Sequence, residues 1–334
     1  MTEFDWHKTE FERLLTAKAA LAQGLLFCGP LGTGKLAFAR ALAQALLCET
    51  PVEGGRACGT CSACAWFASG SHPDYRQIEP PAASTAGEAE EVERKSTTIG
   101  VDQIRALAAF LNISSHRGGS RVVVIHPAEI LNANAANALL KSLEEPPPRT
   151  HFLLVTHRPH QVLATIKSRC SQIALRVPET SAAAAWLKSQ GVREPAVALA
   201  HAGGAPLLAL ELGAGEYWGT RAAFLRHITA RDFDALTAAE AARDYPIPHV
   251  VALLQKWSYD LAYCATLGRA RYNPDYRDDI VQAASRLDPL ATLRFHREMV
   301  KLQRIAHHPL NPRLFVEQLL LAYRDLSQVR VAAA

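Results

Sequence analysis

The sequence has few of the features that would send a chain into a membrane, out of the cell or onto nucleic acid by charge alone. No stretch of its 334 residues carries a dense Lys/Arg block, and 36 Lys+Arg against 32 Asp+Glu leave a net charge of only +4. That balance permits contact with a polyanion without arguing for it. No apolar run approaches the length of a membrane span; Val250–Leu254 and Leu319–Tyr323 fall far short. The N-terminus, MTEFDWHKTE, has early acidic residues, no cationic segment and no apolar core, so no secretory leader is expected. The expected compartment is the cytoplasm, with no membrane partner. Seven cysteines in a reducing compartment do not suggest a disulfide framework. Their positions matter more, because four fall between Cys48 and Cys64.

The length fits two or three domains, and 49% hydrophobic with 20% charged residues fits an ordinary globular core. Three textures succeed one another. From 1 to 178, apolar β-type runs alternate with helical patterns, which predicts an α/β unit with a parallel sheet. Expected strands are 24–28, 75–78, 121–125 and 151–156; expected helices are 35–47, 101–111 and 133–143. A Gly/Cys-rich stretch (48–64) and a polar one (79–98) interrupt the unit, and the second reads as a mobile loop. From 179 to 213 the chain is Ala-rich and helical, with Ser181 as a candidate cap. From 214 to 334 no strand-like run occurs, and an all-helical bundle is expected. Val250, Leu253, Leu254, Trp257 and Leu261 share one helix face, as do Phe315, Leu319, Ala322 and Leu326. Asn311 before Pro312 predicts a helix start.

The run GLLFCGPLGTGKL reads as a strand, a glycine turn and a helix. Gly29, Gly32, Gly34 and Lys35 supply the G-x4-G-K cradle in which backbone N–H groups and a helix N-terminus hold phosphates. The residues around this cradle are wrong for metal chemistry. Leu36 stands where a Ser or Thr hydroxyl would hold Mg²⁺, which demands oxygen ligands. The next candidate strand, RVVVI, runs into His126 and Pro127 rather than an acidic pair, and Glu129 comes two residues late. Slow or absent hydrolysis is expected, and nucleotide binding without turnover stays open.

Cys48, Cys58, Cys61 and Cys64 form a C-x9-C-x2-C-x2-C array. Four thiolates suit a structural Zn²⁺ with no open position; an iron–sulfur cluster and free thiols are the alternatives. Cys28, Cys170 and Cys264 read as core residues.

Taken together and in order, GPLGTGK, the cysteine insertion, VDQIRAL, NANAANALLKSLEEPPPRTHFLLVTHRP and TIKSRC resemble the bacterial clamp-loader branch of the AAA+ ATPases. The likeness covers nearly the whole chain and is strongest from Val101 to Cys170. It implies an AAA+ P-loop domain, a small helical lid domain and an all-α collar domain in a five-subunit ring. It also implies gamma/tau-type motor and delta subunits as neighbours, and the sliding clamp and primed DNA as partners. Motor members keep the metal-binding hydroxyl and the acidic pair, and they place an arginine at the helix start where Ala205 and Pro206 stand here. The departures therefore resemble the non-hydrolysing members. The same resemblance makes Arg169, in Ser168–Arg169–Cys170, an arginine finger acting in trans, and Thr156 a sensor-like position. A surface ion pair is the plain alternative for Arg169. An active motor-type ATPase and a zinc-dependent nucleic-acid reader are the rival functions. The second has little support, because only Arg56 and Trp66 lie close to the cysteines. Arg105, Arg117, Arg121 and Lys141 are candidate phosphate-tracking cations, each with a solvated-surface alternative. His116, His126 and His157 show no metal-ligand spacing.

Overall fold

The computed structural model describes residues 4–81, 98–113, 115, 119–230, 232–306 and 311–328. Most of the 79–98 insertion, Arg117 and His116 lie outside the described residues. The chain divides into two compact units, Met1–Glu179 and Thr180–Ala334.

The first unit is built on five parallel strands: β1 (Gly24–Cys28), β2 (Tyr75–Ile78), β3 (Arg121–Ile125), β4 (Thr150–Thr156) and β5 (Ser171–Ala174). Their order across the sheet is β2-β3-β4-β1-β5. Every residue of β3 and β4 is buried, as expected for interior strands covered on both faces. Side chains alternate between two apolar layers. Leu25, Phe27, Val122, Val124, Leu153 and Val155 meet the helices Lys8–Thr16 and Lys35–Leu47 through Phe11, Phe38 and Leu42. Leu26, Val123, Ile125, Phe152 and Leu154 meet the helices Val101–Asn112 and Ala133–Glu144 through Ile104, Leu107 and Leu139. The strand β5 is not among the expected ones. It is short, lies at an edge, and buries only Ile173, so it carries no apolar alternation.

Two expectations are corrected in the second unit. Its first helix, Thr180–Ser189, starts before Ser181, so Ser181 is a helical residue rather than a cap. Ala322 is exposed, and Val316, Leu320 and Tyr323 join Phe315, Leu319 and Leu326 in the core instead. Asn311 caps the last helix as expected, its side chain accepting from the Leu314 amide at 3.2 Å. The helix Ile247–Leu267 carries the largest fully buried side chain among the described residues, Trp257, whose indole N–H donates to the Tyr323 hydroxyl at 2.9 Å. Among the described residues no single helix is long and apolar enough to cross a membrane.

A buried polar network ties the loop after that helix into the unit. The Asp260 carboxylate accepts from the backbone of Arg271 (2.7 Å), Tyr272 (3.0 Å) and Asn273 (2.8 Å), and from the Asn273 side chain (2.9 Å). Arg221, nearly inaccessible, reaches Asn273 at 2.9 Å and clasps both oxygens of Asp275 at 2.8 Å. His201 is wholly buried beside them. Its Nδ1 lies 3.2 Å from the Tyr272 carbonyl, which can only accept, so Nδ1 holds the proton. Its Nε2 then accepts from the Tyr217 hydroxyl at 2.7 Å.

Burial pushes the His201 pKa down from 6.5 to about 2. A depressed folded-state pKa contributes stability that is fully present above the unfolded value and is lost as pH falls below 6.5 toward 2. Against a His201→Gln variant, the wild type should lose roughly 1 to 1.4 kcal/mol of unfolding free energy per pH unit in that window. Denaturant curves at a series of pH values check this; parallel curves for the two proteins would show that His201 takes up a proton without unfolding.

Candidate functional site

The phosphate loop leaves the carboxyl end of β1 and enters the helix Lys35–Leu47. Its glycines have specific causes. A Cβ at Gly29 would lie 2.1 Å from the Leu175 carbonyl oxygen, so only glycine fits. Gly34 caps the helix at φ 92°, a left-handed conformation that favours glycine. Gly32 is also left-handed, at φ 77°. Thr156 is paired in register with Cys28 at the carboxyl end of neighbouring β4, so the sensor-like position and the loop share one end of the sheet. Ligands bind at this end of parallel α/β sheets.

The loop is engaged by its own chain. Lys35 is buried, its ammonium donates to the Pro30 carbonyl, and the Thr33 hydroxyl lies 3.5 Å away. Burial pushes its pKa down to about 8, against the pull of the Glu129 carboxylate. The Thr33 carbonyl accepts from the Trp6 indole at 3.1 Å and from His7 Nε2 at 2.8 Å. The Phe4 ring stacks on Trp6 at 4.7 Å and lies so close to Gly34 that a Cβ there would meet it at 2.6 Å. Sequence reasoning misses this cover; the aromatic pair in FDWH is its only signal.

Leu36 packs into the apolar layer with Phe38 and Leu42. Just past β3, His126 Nε2 meets His157 Nε2 at 3.1 Å. Sequence spacing could not show this contact, because β3 and β4 bring together residues 31 apart. Burial lowers both imidazoles, His157 to about 4, so both are neutral at pH 7. Glu129 sits in the short helix beyond the strand end and accepts from the His157 amide at 3.0 Å. The arrangement keeps an anion cradle, with Leu36 offering no oxygen and Glu129 Oε2 buried without a hydrogen-bond partner among the described residues.

Arg169 lies at the other end of the sheet. It comes after the short helix Ala164–Lys167 and precedes β5, whose first residue pairs with Leu25. Its carbonyl comes within 2.9 Å of a Cβ placed on Gly24, where β1 begins. Four strand steps along β1 separate that point from the phosphate loop, about 13 Å. The guanidinium donates to the Thr165 carbonyl at 2.9 Å, to the Ser168 hydroxyl at 3.3 Å and to the Glu144 carboxylate. It is one-third exposed. The structure therefore brings Gly29, Gly32, Gly34, Lys35 and Thr156 together and keeps Ser168 and Arg169 apart from them.

Cys48 ends the Lys35–Leu47 helix, and Cys61 caps the helix Ser62–Ala68. The four sulfurs of Cys48, Cys58, Cys61 and Cys64 lie within 4.8 Å of one another. Cys48–Cys61 and Cys58–Cys64 are 3.9 and 4.0 Å apart. A tetrahedral ion with bonds near 2.3 Å would set its sulfurs about 3.8 Å apart, so the cluster can hold one. Thr50 and Thr60 donate to Cys58 and bring its thiol down to about 5, while burial pushes Cys64 up to about 12. A bound cation would offset the charge of a second buried thiolate.

Of the candidate phosphate-tracking cations, Arg121 is corrected. It is buried, donates to the Leu111 carbonyl at 2.9 Å and to the Ile113 carbonyl, and so caps the C-terminal end of Val101–Asn112. It stacks on Phe110 at 5.0 Å, with Arg76 at 4.4 Å from the same ring. Arg105 is exposed and paired with Asp102 at 3.1 Å, and Lys141 is exposed.

Residues 7–179 match the family model described as DNA polymerase III, delta subunit. The DNA polymerase III subunit delta' of Pseudomonas aeruginosa is 40% identical over 276 residues, 80% of this chain and 77% of that one. That of Escherichia coli is 35% identical over 226 residues, 66% and 64% of the two chains. The tau subunit of Bacillus subtilis is 36% identical over 166 residues, 49% of this chain and 26% of its own. Among solved structures, a gamma-subunit-related protein of Thermotoga maritima aligns over 97% of this chain and all of its own, with a TM-score of 0.51 and 19% identity. That last likeness concerns the fold alone. The spacing of the phosphate loop, the cysteine cluster and the arginine after Ser168 thus sits in a chain that belongs to the DNA polymerase III delta' subunit family.

Proposed function

We propose that this chain is the non-hydrolysing stator of a bacterial clamp loader and supplies Arg169 to the ATP site of a neighbouring subunit. The observation that carries the reading is the placement of Arg169 at the end of the sheet away from its own phosphate loop. An arginine there is of no use to a nucleotide bound in the same chain. Offered to a neighbour, it would neutralise charge developing on the γ-phosphoryl group. The neighbours would be a gamma/tau-type motor subunit and the delta subunit in a five-subunit ring, acting on the sliding clamp and primed DNA in the cytoplasm.

The second unit would then comprise a helical lid (179–213) and a collar (214–334). Two separate apolar clusters support this, one around Leu187 and Leu199 and one around Trp257. The helix Pro289–Leu302 leaves Leu290, Leu293 and Val300 exposed on one stripe, a face suited to sister subunits. In the cysteine cluster the resident ion would be structural Zn²⁺, since four thiolates leave no position for substrate.

A motor of the gamma/tau type is the second reading, favoured by the surviving Gly29, Gly34 and Lys35. Mg²⁺-ATP hydrolysis by the purified chain separates the two. The stator reading expects no turnover above a Lys35→Ala control, and turnover that this substitution abolishes would make the chain a motor. In the reconstituted loader, Arg169→Ala should leave assembly intact and lower the DNA-stimulated ATPase; fingers of this kind contribute about 10³-fold or more at the site they serve. An unchanged rate would overturn the finger assignment. Cys61→Ser should release the metal, measured by elemental analysis, and lower the thermal midpoint of the first unit. A metal-free wild type of full stability would refute a structural ion.

A further inference from the structure

The geometry points to Glu144 as the positioning residue of Arg169, an inference that rests on the finger reading above. Glu144 closes the helix Ala133–Glu144, which packs on the sheet through Ala135, Ala136, Leu139 and Leu143. Its carboxylate receives the Arg169 guanidinium across 25 residues of sequence. The remaining anchors of that guanidinium are local, the Thr165 carbonyl at 2.9 Å and the Ser168 hydroxyl at 3.3 Å. They belong to a helix of four residues and its end, and they hold only Nη1. Among the described residues, the Glu144 contact alone ties the other terminal nitrogen, Nη2, to a long helix seated in the core.

Two physical points give the contact a role in orientation rather than in folding. Glu144 is half exposed and Arg169 one-third exposed, and ion pairs this open to water contribute little to stability. A long side chain that must enter another subunit's site, however, loses rate steeply when its head is free to wander. Two anchors on Nη1 and one on Nη2 leave Nε and a hydrogen of Nη2 without a partner among these contacts. Those are the donors that a phosphoryl oxygen would engage. Glu144 therefore helps fix the plane of the guanidinium while Nε and one hydrogen of Nη2 stay unengaged by these contacts. Glu145, the next residue, shares no contact with Arg169 among the described ones and is the natural control.

The test is a double-mutant cycle in the complete reconstituted loader, reading DNA-stimulated ATPase against ATP concentration. Arg169→Ala, Glu144→Ala, Glu144→Gln, Glu145→Ala and the pair Arg169→Ala with Glu144→Ala are compared. Glu144→Ala should lower kcat about three- to tenfold with the KM for ATP within about twofold, the pattern of an interaction lost from the transition state. Glu144→Gln, which keeps an acceptor of the same reach, should recover part of the loss, and Glu145→Ala should keep the wild-type rate. The double variant should be no slower than Arg169→Ala alone, because the two residues act as one unit. The thermal midpoint of the isolated Glu144→Ala chain should match the wild type, which separates positioning from unfolding. A slow Arg169→Ala with an unaffected Glu144→Ala, or losses that simply multiply, would overturn the role of Glu144 and leave the finger standing. Wild-type rates in both would overturn the finger reading and this inference with it.

Discussion

Parallel pairing of β1 between β4 and β5 sets the geometry of the first unit. A parallel sheet has two chemically different ends. At the carboxyl end every strand hands its chain to a loop and then to a helix whose N–H groups point back at that end, which is where an anion is held. At the amino end, chains arrive from helix C-termini. Gly29–Lys35 issues from the first end; Ser168 and Arg169 arrive at the second. Five residues of β1 thus keep the phosphate loop and Arg169 at opposite ends of the sheet.

The altered cradle shows how a phosphate loop can be satisfied from within its own chain. A glycine loop whose lysine is buried without a counter-anion would carry uncompensated charge and unsatisfied donors. Here Lys35 is turned onto Pro30 and Thr33, Glu129 is near enough to oppose its desolvation, and Trp6 and His7 both engage the Thr33 carbonyl. The His126–His157 contact fills the ends of β3 and β4 with neutral imidazole rather than carboxylate. Lys35 is thereby satisfied, while Glu129 Oε2 and His157 Nδ1 stay buried with no hydrogen-bond partner among the described residues.

The legibility of these features in the sequence depends on how local each signal is. The strands β1, β3 and β4 stand out because interior parallel strands are continuous apolar runs, whereas β2 is an edge strand, YRQI, without such a run; the limits of all four are right to within a residue. The edge strand β5 is the one missed; like β2 at the opposite edge it buries a single residue, Ile173 in β5 and Ile78 in β2. Lys35, the glycines and the four cysteines are readable because each set is contiguous or nearly so. Contacts between distant segments are not. Nothing in the spacing of His126 and His157, of Glu144 and Arg169, or of Phe4 and Gly34 shows that the fold joins them. Arg121 misleads for a related reason: a cation at the head of a strand looks like surface charge until the C-terminal end of another helix is found to need it.

If Arg169 acts inside a neighbouring subunit, as proposed above, the rest of its chain must hold it in place. Catalytic groups must be held to within about half an ångström, and the supporting elements must carry that precision. The first unit meets the demand by pinning the Arg169 segment from two sides. Its backbone lies against Gly24 too closely for any larger residue, and its side chain is tied to the end of a core helix. In the second unit the same preference for fixed geometry appears in the Asp260 network, where one carboxylate collects three backbone N–H groups and an amide. Such networks are costly when incomplete and rigid when satisfied. On the proposed stator reading, a chain that need not open and close around its own nucleotide is free to be stiff, and a stiff chain would present Arg169 best.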